Sequence, residues 1–295
     1  GFLVVPMSFV ATYLCGRLLF SLDHYVPVLE ALTTGTFALV LCGVLVYLER
    51  ESERRFLHRT FRTYVPPEVI DEMAHRKRLP QLGGESLNAT AMFTDIENFT
   101  LVSETMPPPR LVSILNEYFS RMAAVLREQR GTLDKFAGDG IVCCFGAPLQ
   151  FDSHAQCACV AALQMQSVLS ELREQWRSQG VEYDAVADMR MRIGINTGTF
   201  VTGNIGCDMR MNYTMVGDAV NLAAHLEAAC KEYGVQILVG ESTYLATRDA
   251  LSYRRVDRIQ VKKRRGAEDV YELLGTTLTR EQIGLVACYE SARGH

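Results

Sequence analysis

The sequence has no G-x-x-x-x-G-K-[ST] segment, no C-x-x-C pair, no long basic run and no internal repeat or low-complexity tract. Each absence removes a class of function. Without the phosphate loop, a nucleotide-hydrolysing or kinase domain built on that motif is excluded. Without spaced cysteine pairs, the nine cysteines fit neither a zinc ribbon nor a disulfide framework, and they read as free thiols in a reducing compartment. Cys157 and Cys159 stand two apart with no second ligand pair after them, so they too read as buried thiols. A net charge of −4 offers nothing to a polyanion, and no nucleic-acid partner is expected. What the chain does have is 295 residues, 48% of them hydrophobic, enough for one sizeable domain and something smaller.

The smaller part is N-terminal. Residues 1–20 are apolar apart from Arg17 and a few small polar residues, and residues 31–48 carry no charge at all. A stretch of that length approaches what crosses about 30 Å of hydrocarbon as a helix. Arg50, Arg54, Arg55, Arg59 and Arg62 come directly after it. That order is opposite to a signal peptide, and it places the downstream residues on the cytoplasmic side. The expectation is two transmembrane helices over 1–48, making a multi-pass protein of the cell's inner membrane. Because the chain opens on Gly1 with an apolar segment, it reads as a fragment of a longer membrane protein. Residues 49–84 read as a cytoplasmic coupling segment: a charged helix carrying Phe56, Leu57 and Phe61, a short helix from Pro66-Pro67 to residue 75, and a loop over 79–84.

Beyond residue 85, strand and helix patterns alternate as in an α+β domain. Residues 88–94 read as a buried strand ending at Asp95. The proline triplet 107–109 precedes an amphipathic helix over 110–130, with Leu111, Ile114, Leu115, Tyr118, Phe119 and Met122 at helical spacing, ended by Gly131. Residues 132–136 and 141–145 read as a hairpin turning at Gly138-Asp139-Gly140. Helices are expected over 153–179 and 219–233, and strands over 189–196, 200–205, 236–239 and 270–273. Asp95 and Asp139 thus stand at the ends of strands that can be neighbours. Mg²⁺ takes one or two carboxylates plus substrate phosphates, and two ions sharing such a pair suit phosphoryl chemistry. Either aspartate alone would read as a turn or capping residue.

Four segments stand in order: Phe93-Thr-Asp-Ile-Glu-Asn-Phe-Thr100, Lys135-Phe-Ala-Gly-Asp-Gly140, Arg192-Ile-Gly-Ile-Asn-Thr-Gly198 and Tyr213-Thr-Met-Val-Gly-Asp-Ala-Val-Asn-Leu-Ala224. Together they resemble the class III adenylyl cyclases. The resemblance implies an α+β catalytic domain with a ferredoxin-like βαβ sandwich core over 85–275, with 276–295 as a tail outside it. The two apolar segments running into Phe61-Arg-Thr-Tyr-Val-Pro-Pro-Glu68 resemble the membrane unit of bacterial cyclases with a CHASE-type extracellular sensor, which here would lie upstream.

The resemblance also implies roles. Asp95 and Asp139, with the Ile96 carbonyl, would hold two Mg²⁺ or Mn²⁺ ions. The backbone of Glu97 to Thr100, including Asn98 and Phe99, would wrap the triphosphate of ATP. Asn98 stands where the family has glycine, and asparagine tolerates the left-handed backbone such a turn needs. Arg192 and Lys262 would contact phosphates, although Lys263 follows Lys262 where the family has glycine. Lys135 and Thr214 would read adenine, whereas a GTP enzyme carries an acidic residue in place of Lys135. Asn221 would position the ribose. Metal and nucleotide segments would come from different subunits, so a homodimer with two composite sites is implied. His225 occupies the position of the family's transition-state arginine. An imidazole lacks the permanent charge and planar fork of a guanidinium. That departure implies a slow enzyme, or else a regulatory or dimerisation domain of the same fold.

Overall fold

The computed structural model describes residues 81–179, 189–207, 209–260 and 267–276, with residues 41–49 and a few single positions besides. The chain divides into two compact units, Gly1–Tyr64 and Val65–His295. In the first, residues 41–49 are helical. Among the described residues, no helix is long and apolar enough to cross a membrane. The first expected span apart from Leu14 and Leu18, residues 31–34 and 37–40 of the second, nearly all of the coupling segment as far as residue 80, and the tail from 277 lie outside those residues.

The second unit is a mixed α+β domain. Its elements are β1 (Gly83–Ile96), α1 (Phe99–Thr105), α2 (Pro108–Glu128), β2 (Gly131–Ala137), β3 (Gly140–Phe145), α3 (His154–Ser178), β4 (Met191–Cys207), β5 (Arg210–Val216), α4 (Asp218–Tyr233), β6 (Ile237–Gly240), α5 (Glu241–Thr247), β7 (Ser252–Gln260) and β8 (Ala267–Gly275). The strands form one sheet in the order β2-β3-β1-β4-β6-β8-β7, with β5 paired to β4. Among the described residues, β4 and β6 are the one parallel pair, and the other pairs are antiparallel.

Alternation along the strands sorts side chains between the two faces of the sheet. Met92 and Ile96 of β1, Ile141, Cys143 and Phe145 of β3, and Ile237 and Val239 of β6 pack with α2 and α3. Their neighbours Ala89 and Ala91 of β1 and Val142 and Cys144 of β3 pack with Ala219, Val220 and Ala223 of α4. Central strands covered on both faces read as continuous apolar runs, which is why residues 88–94 show no clean alternation of polarity. On α2, Ile114, Tyr118 and Met122 are buried at intervals of four, as the spacing predicts. Proline in its first turn costs no hydrogen bond, because that N–H has no partner within the helix. The Trp176 indole of α3 donates to Glu117 of α2 at 2.8 Å, tying the two helices together.

Three expectations change. The strands expected over 189–196 and 200–205 are one strand, β4, because β1 pairs with it without interruption from Gly83↔Asn204 to Ile96↔Met191. The expected loop over 79–84 gives way to β1 at Gly83 for the same reason. Gly131 does not end α2 but begins β2, and the left-handed conformation falls on Arg130, at φ 61°. The strands β5 and β7 and the short helices α1 and α5 had no expected counterpart.

Candidate active site

Asp95 is the penultimate residue of β1, and Asp139 lies in the two-residue turn between β2 and β3, where Gly138 has φ 66°. Asp139 Oδ2 accepts the backbone N–H of Ile96 at 3.0 Å. This bond fastens the hairpin tip to the end of β1, beside Asp95. The close approach depends on Gly140, where any Cβ would collide with the carbonyl oxygen of Thr94. The Thr94 hydroxyl in turn accepts the N–H of Ile141 at 3.1 Å. Burial, followed by the charge of Asp95, raises the Asp139 carboxyl above the usual carboxylate range.

Arg192 stands opposite Asp95 in the β1–β4 register. Its guanidinium binds the Asp95 carboxylate, and Nε lies 3.2 Å from Glu227 Oε1 of α4, an ion pair without hydrogen-bond alignment. α4 can lie this close because residue 194 is glycine; a Cβ there would overlap the backbone of Ala223 and Glu227. Glu227 is pushed up to about 7, mainly by burial and then by Asp95, against the pull of Arg192.

These groups open on a cleft of about 490 Å³ lined by Asp95, Ile96, Asn98, Phe99, Thr100, Leu101, Glu104, Asp139, Arg192 and Lys231. Asn98 has the left-handed conformation expected of it, φ 58° and ψ 28°, and leads into α1. The Glu97 amide is already bonded to the Arg190 carbonyl at 2.8 Å, so the backbone available to a ligand narrows to residues 98–100.

A second cluster joins β2 to β5. Lys135 Nζ donates to Thr214 Oγ1 at 3.2 Å, and Thr214 Oγ1 donates to Asp134 Oδ2 at 2.5 Å. Asn221 and His225 are exposed on α4. None of Lys135, Thr214, Asn221 and His225 is among the described residues that line the cleft. Lys262 lies outside the described residues. Asp134, Glu227 and Lys231 escape a reading of the sequence. Glu227 and Lys231 share a helix face by their spacing of four, but only the fold sets Glu227 against Arg192 and Lys231 on the cleft.

The donor set fits hard divalent ions. Among the described residues, no group of three or more His, Cys, Asp or Glu could form a closed metal cage. Two carboxylates beside an open cleft instead match the partial ligation Mg²⁺ accepts when phosphates complete its shell. Burial and then the repulsion from Asp95 raise Asp139, and a cation there would relieve the repulsion.

Residues 84–275 match the family described as Adenylate and Guanylate cyclase catalytic domain. The chain is 34% identical to Adenylate cyclase 1 of Rhizobium meliloti (strain 1021) over 216 residues, which cover 73% of this chain and 32% of that protein. It is 32% identical to the adenylate cyclase of Anabaena cylindrica over 227 residues, 76% of this chain and 43% of the relative. The chain therefore spans less than half the length of either relative. Among solved structures, the adenylyl cyclase CyaB from P. aeruginosa is similar with a TM-score of 0.60 and 33% identity, covering 68% of this chain and 98% of that one. The guanylyl cyclase Cya2 is similar to the same degree, at 0.60 and 32%, with the same coverage. With the match running from the first residues of β1 to the end of β8, this chain belongs to the adenylate and guanylate cyclase catalytic domain family.

Proposed function

We propose that the chain converts ATP to 3′,5′-cyclic AMP and pyrophosphate at two composite sites of a head-to-tail homodimer. The observation that carries this reading is the meeting of Asp95 and Asp139 at the mouth of one cleft, fastened by the Asp139–Ile96 bond. In the reaction the ribose 3′-hydroxyl gives its proton to water as its oxygen bonds to the α-phosphorus, and the bond from that phosphorus to the bridging oxygen breaks with its electron pair leaving on pyrophosphate. Two Mg²⁺ or Mn²⁺ ions, when bound by Asp95, Asp139 and the Ile96 carbonyl, supply a lowered pKa for the attacking hydroxyl and neutralise the leaving phosphates. The backbone of Asn98, Phe99 and Thr100 meets the triphosphate. Arg192, held by Asp95 and Glu227, places a fixed positive charge beside it. Lys262 adds a further phosphate contact.

Lys135 donates to ring N1 of adenine, and Thr214 engages the exocyclic amine. This pair favours ATP although similarity to one adenylyl and one guanylyl cyclase is equal in size. Asn221 and His225 act on the ribose and phosphates of the site whose carboxylates belong to the other copy. Their exposure on α4, away from the cleft of their own chain, supports that arrangement. We further infer that residues 1–48 anchor the chain in the inner membrane with the cyclase domain cytoplasmic. The uncharged run 31–48 with five arginines directly after it supports this. His225 favours a second reading, a regulatory or dimerisation domain with weak or no turnover. One assay separates these readings: the purified chain is given ATP or GTP with Mg²⁺ or Mn²⁺. Cyclic AMP from ATP alone is expected, cyclic GMP would reverse the base assignment, and no product with either nucleotide would favour the regulatory reading.

A further inference from the structure

Asp134 and Lys135 are consecutive on β2, so in a regular strand their side chains would point to opposite faces. Here both reach Thr214. The β2–β3 register shifts between Leu133 and Lys135, leaving Asp134 as the extra residue of a bulge. Bulges re-aim side chains, and this one turns a carboxylate onto the hydroxyl that Lys135 also approaches.

A hydroxyl has one proton and two lone pairs. The Thr214 proton is committed to Asp134 Oδ2 at 2.5 Å, a length typical of a charge-assisted O–H···O⁻ bond. Lys135 Nζ takes one lone pair from 3.2 Å. A single lone pair remains. The Asp134 side chain is 6% exposed, while that of Lys135 is 52% exposed, so the carboxylate is the buried anchor of the cluster. Burial raises the Asp134 carboxyl, but the groups that face it, the Thr214 hydroxyl, the Lys135 ammonium and the Met215 backbone N–H, are all donors and suit the ionised form.

We propose that Asp134 is a positioning residue that ties down the Thr214 proton, so that Thr214 offers an incoming purine only an acceptor and selects a 6-amino over a 6-oxo base. This rests on the reading in which Lys135 and Thr214 meet the base. A 6-amino group gives a proton to the remaining lone pair, whereas a 6-oxo group would set oxygen against oxygen. Unpaired polar groups of this kind discriminate more strongly than shape alone.

The test uses the full chain and three substrates: ATP, the triphosphate of unsubstituted purine riboside, and that of 6-methoxypurine riboside. All keep ring N1 as an acceptor, so only position 6 varies. Wild type should favour ATP over the unsubstituted compound by roughly tenfold in kcat/KM, the worth of one good hydrogen bond. Thr214→Val should bring that ratio near one; a retained ratio would refute Thr214 as a base contact and the proposal with it. Asp134→Ala frees the Thr214 proton without removing its lone pairs, so it should keep a preference for ATP but use the methoxy compound at least as well as the unsubstituted one, chiefly through KM. If Asp134→Ala disfavours the methoxy compound as wild type does while Thr214→Val loses the ATP preference, Asp134 does not set the hydroxyl, and the base reading stands. A purely structural role would slow all three substrates alike and leave their ratios unmoved, which also counts against the proposal. Should Asp134→Ala fail to fold, wild type still decides. It should use the methoxy compound roughly threefold less well than the unsubstituted one, and equal or better use overturns the proposal.

Discussion

At the scale of single residues, the site is a small set of charges held by close contacts. Asp95→Ala and Asp139→Ala should each lower cyclic AMP formation by at least roughly a hundredfold, since either change leaves bound metal short of a charged ligand. Turnover within tenfold of wild type in either variant would refute the paired-carboxylate assignment. Glu227 supports a prediction about stability. Its carboxyl is pushed up to about 7 in the fold, above the ordinary glutamate value of 4.5. Between those values the folded chain binds more protons than the unfolded one, so stability falls as pH rises from about 4.5 to about 7 and is level beyond. Glu227→Gln should therefore melt higher than wild type at pH 8 by roughly 2–4 °C, with the gap closing toward pH 5. Thermal melts in metal-free buffer would read this, and a constant gap across pH would contradict it. His225→Arg should raise kcat at saturating ATP by up to roughly a hundredfold, the worth of one preorganised donor to developing charge. No gain at any pH from 6 to 8.5 would place His225 away from the transition state.

At the scale of elements, what matters is how closely neighbours approach. The β2–β3 hairpin can place Asp139 beside Asp95 only because Gly140 lets its backbone lie against the Thr94 carbonyl. Gly140→Ala should force the hairpin away from the end of β1, costing about 1–3 kcal/mol of stability as an overpacked contact does. Its activity should fall further than stability accounts for, because the two carboxylates separate. Denaturant unfolding set beside cyclase assays of the still-folded variant would check both parts. An active Gly140→Ala chain with wild-type metal dependence would mean that the hairpin tip does not set the spacing of the carboxylates.

At the scale of the whole molecule, the proposed dimer makes a prediction that no single chain can satisfy. Asp139→Ala removes a carboxylate from the cleft, and Asn221→Ala removes a group from the exposed face of α4. If the sites are composite, one class of site in a mixed dimer keeps both residues. Equal mixing of the two variants, each inactive alone, should then restore about a quarter of wild-type activity, from half the dimers having one of two sites intact. No recovery after mixing under conditions that allow subunit exchange would favour a site complete within one chain.

The sequence by itself determined the positions of Asp95 and Asp139 at strand ends, the hairpin at Gly138-Asp139, the buried stripe of α2 and the left-handed Asn98. Turn chemistry, helical spacing and backbone tolerance are local properties, written within a few consecutive residues. The matched segments also carried Lys135 and Thr214 as a pair, without showing that they touch. Only the tertiary structure decided that β4 is one strand, that Glu227 faces Arg192, and that a bulge turns Asp134 onto Thr214. Arg192 and Glu227 are thirty-five positions apart in the chain, and Asp134 and Thr214 are eighty apart. Such contacts depend on register, on which face of the sheet a helix covers, and on where a glycine allows a helix to settle. Those are properties of elements packed together, and no short window of sequence contains them.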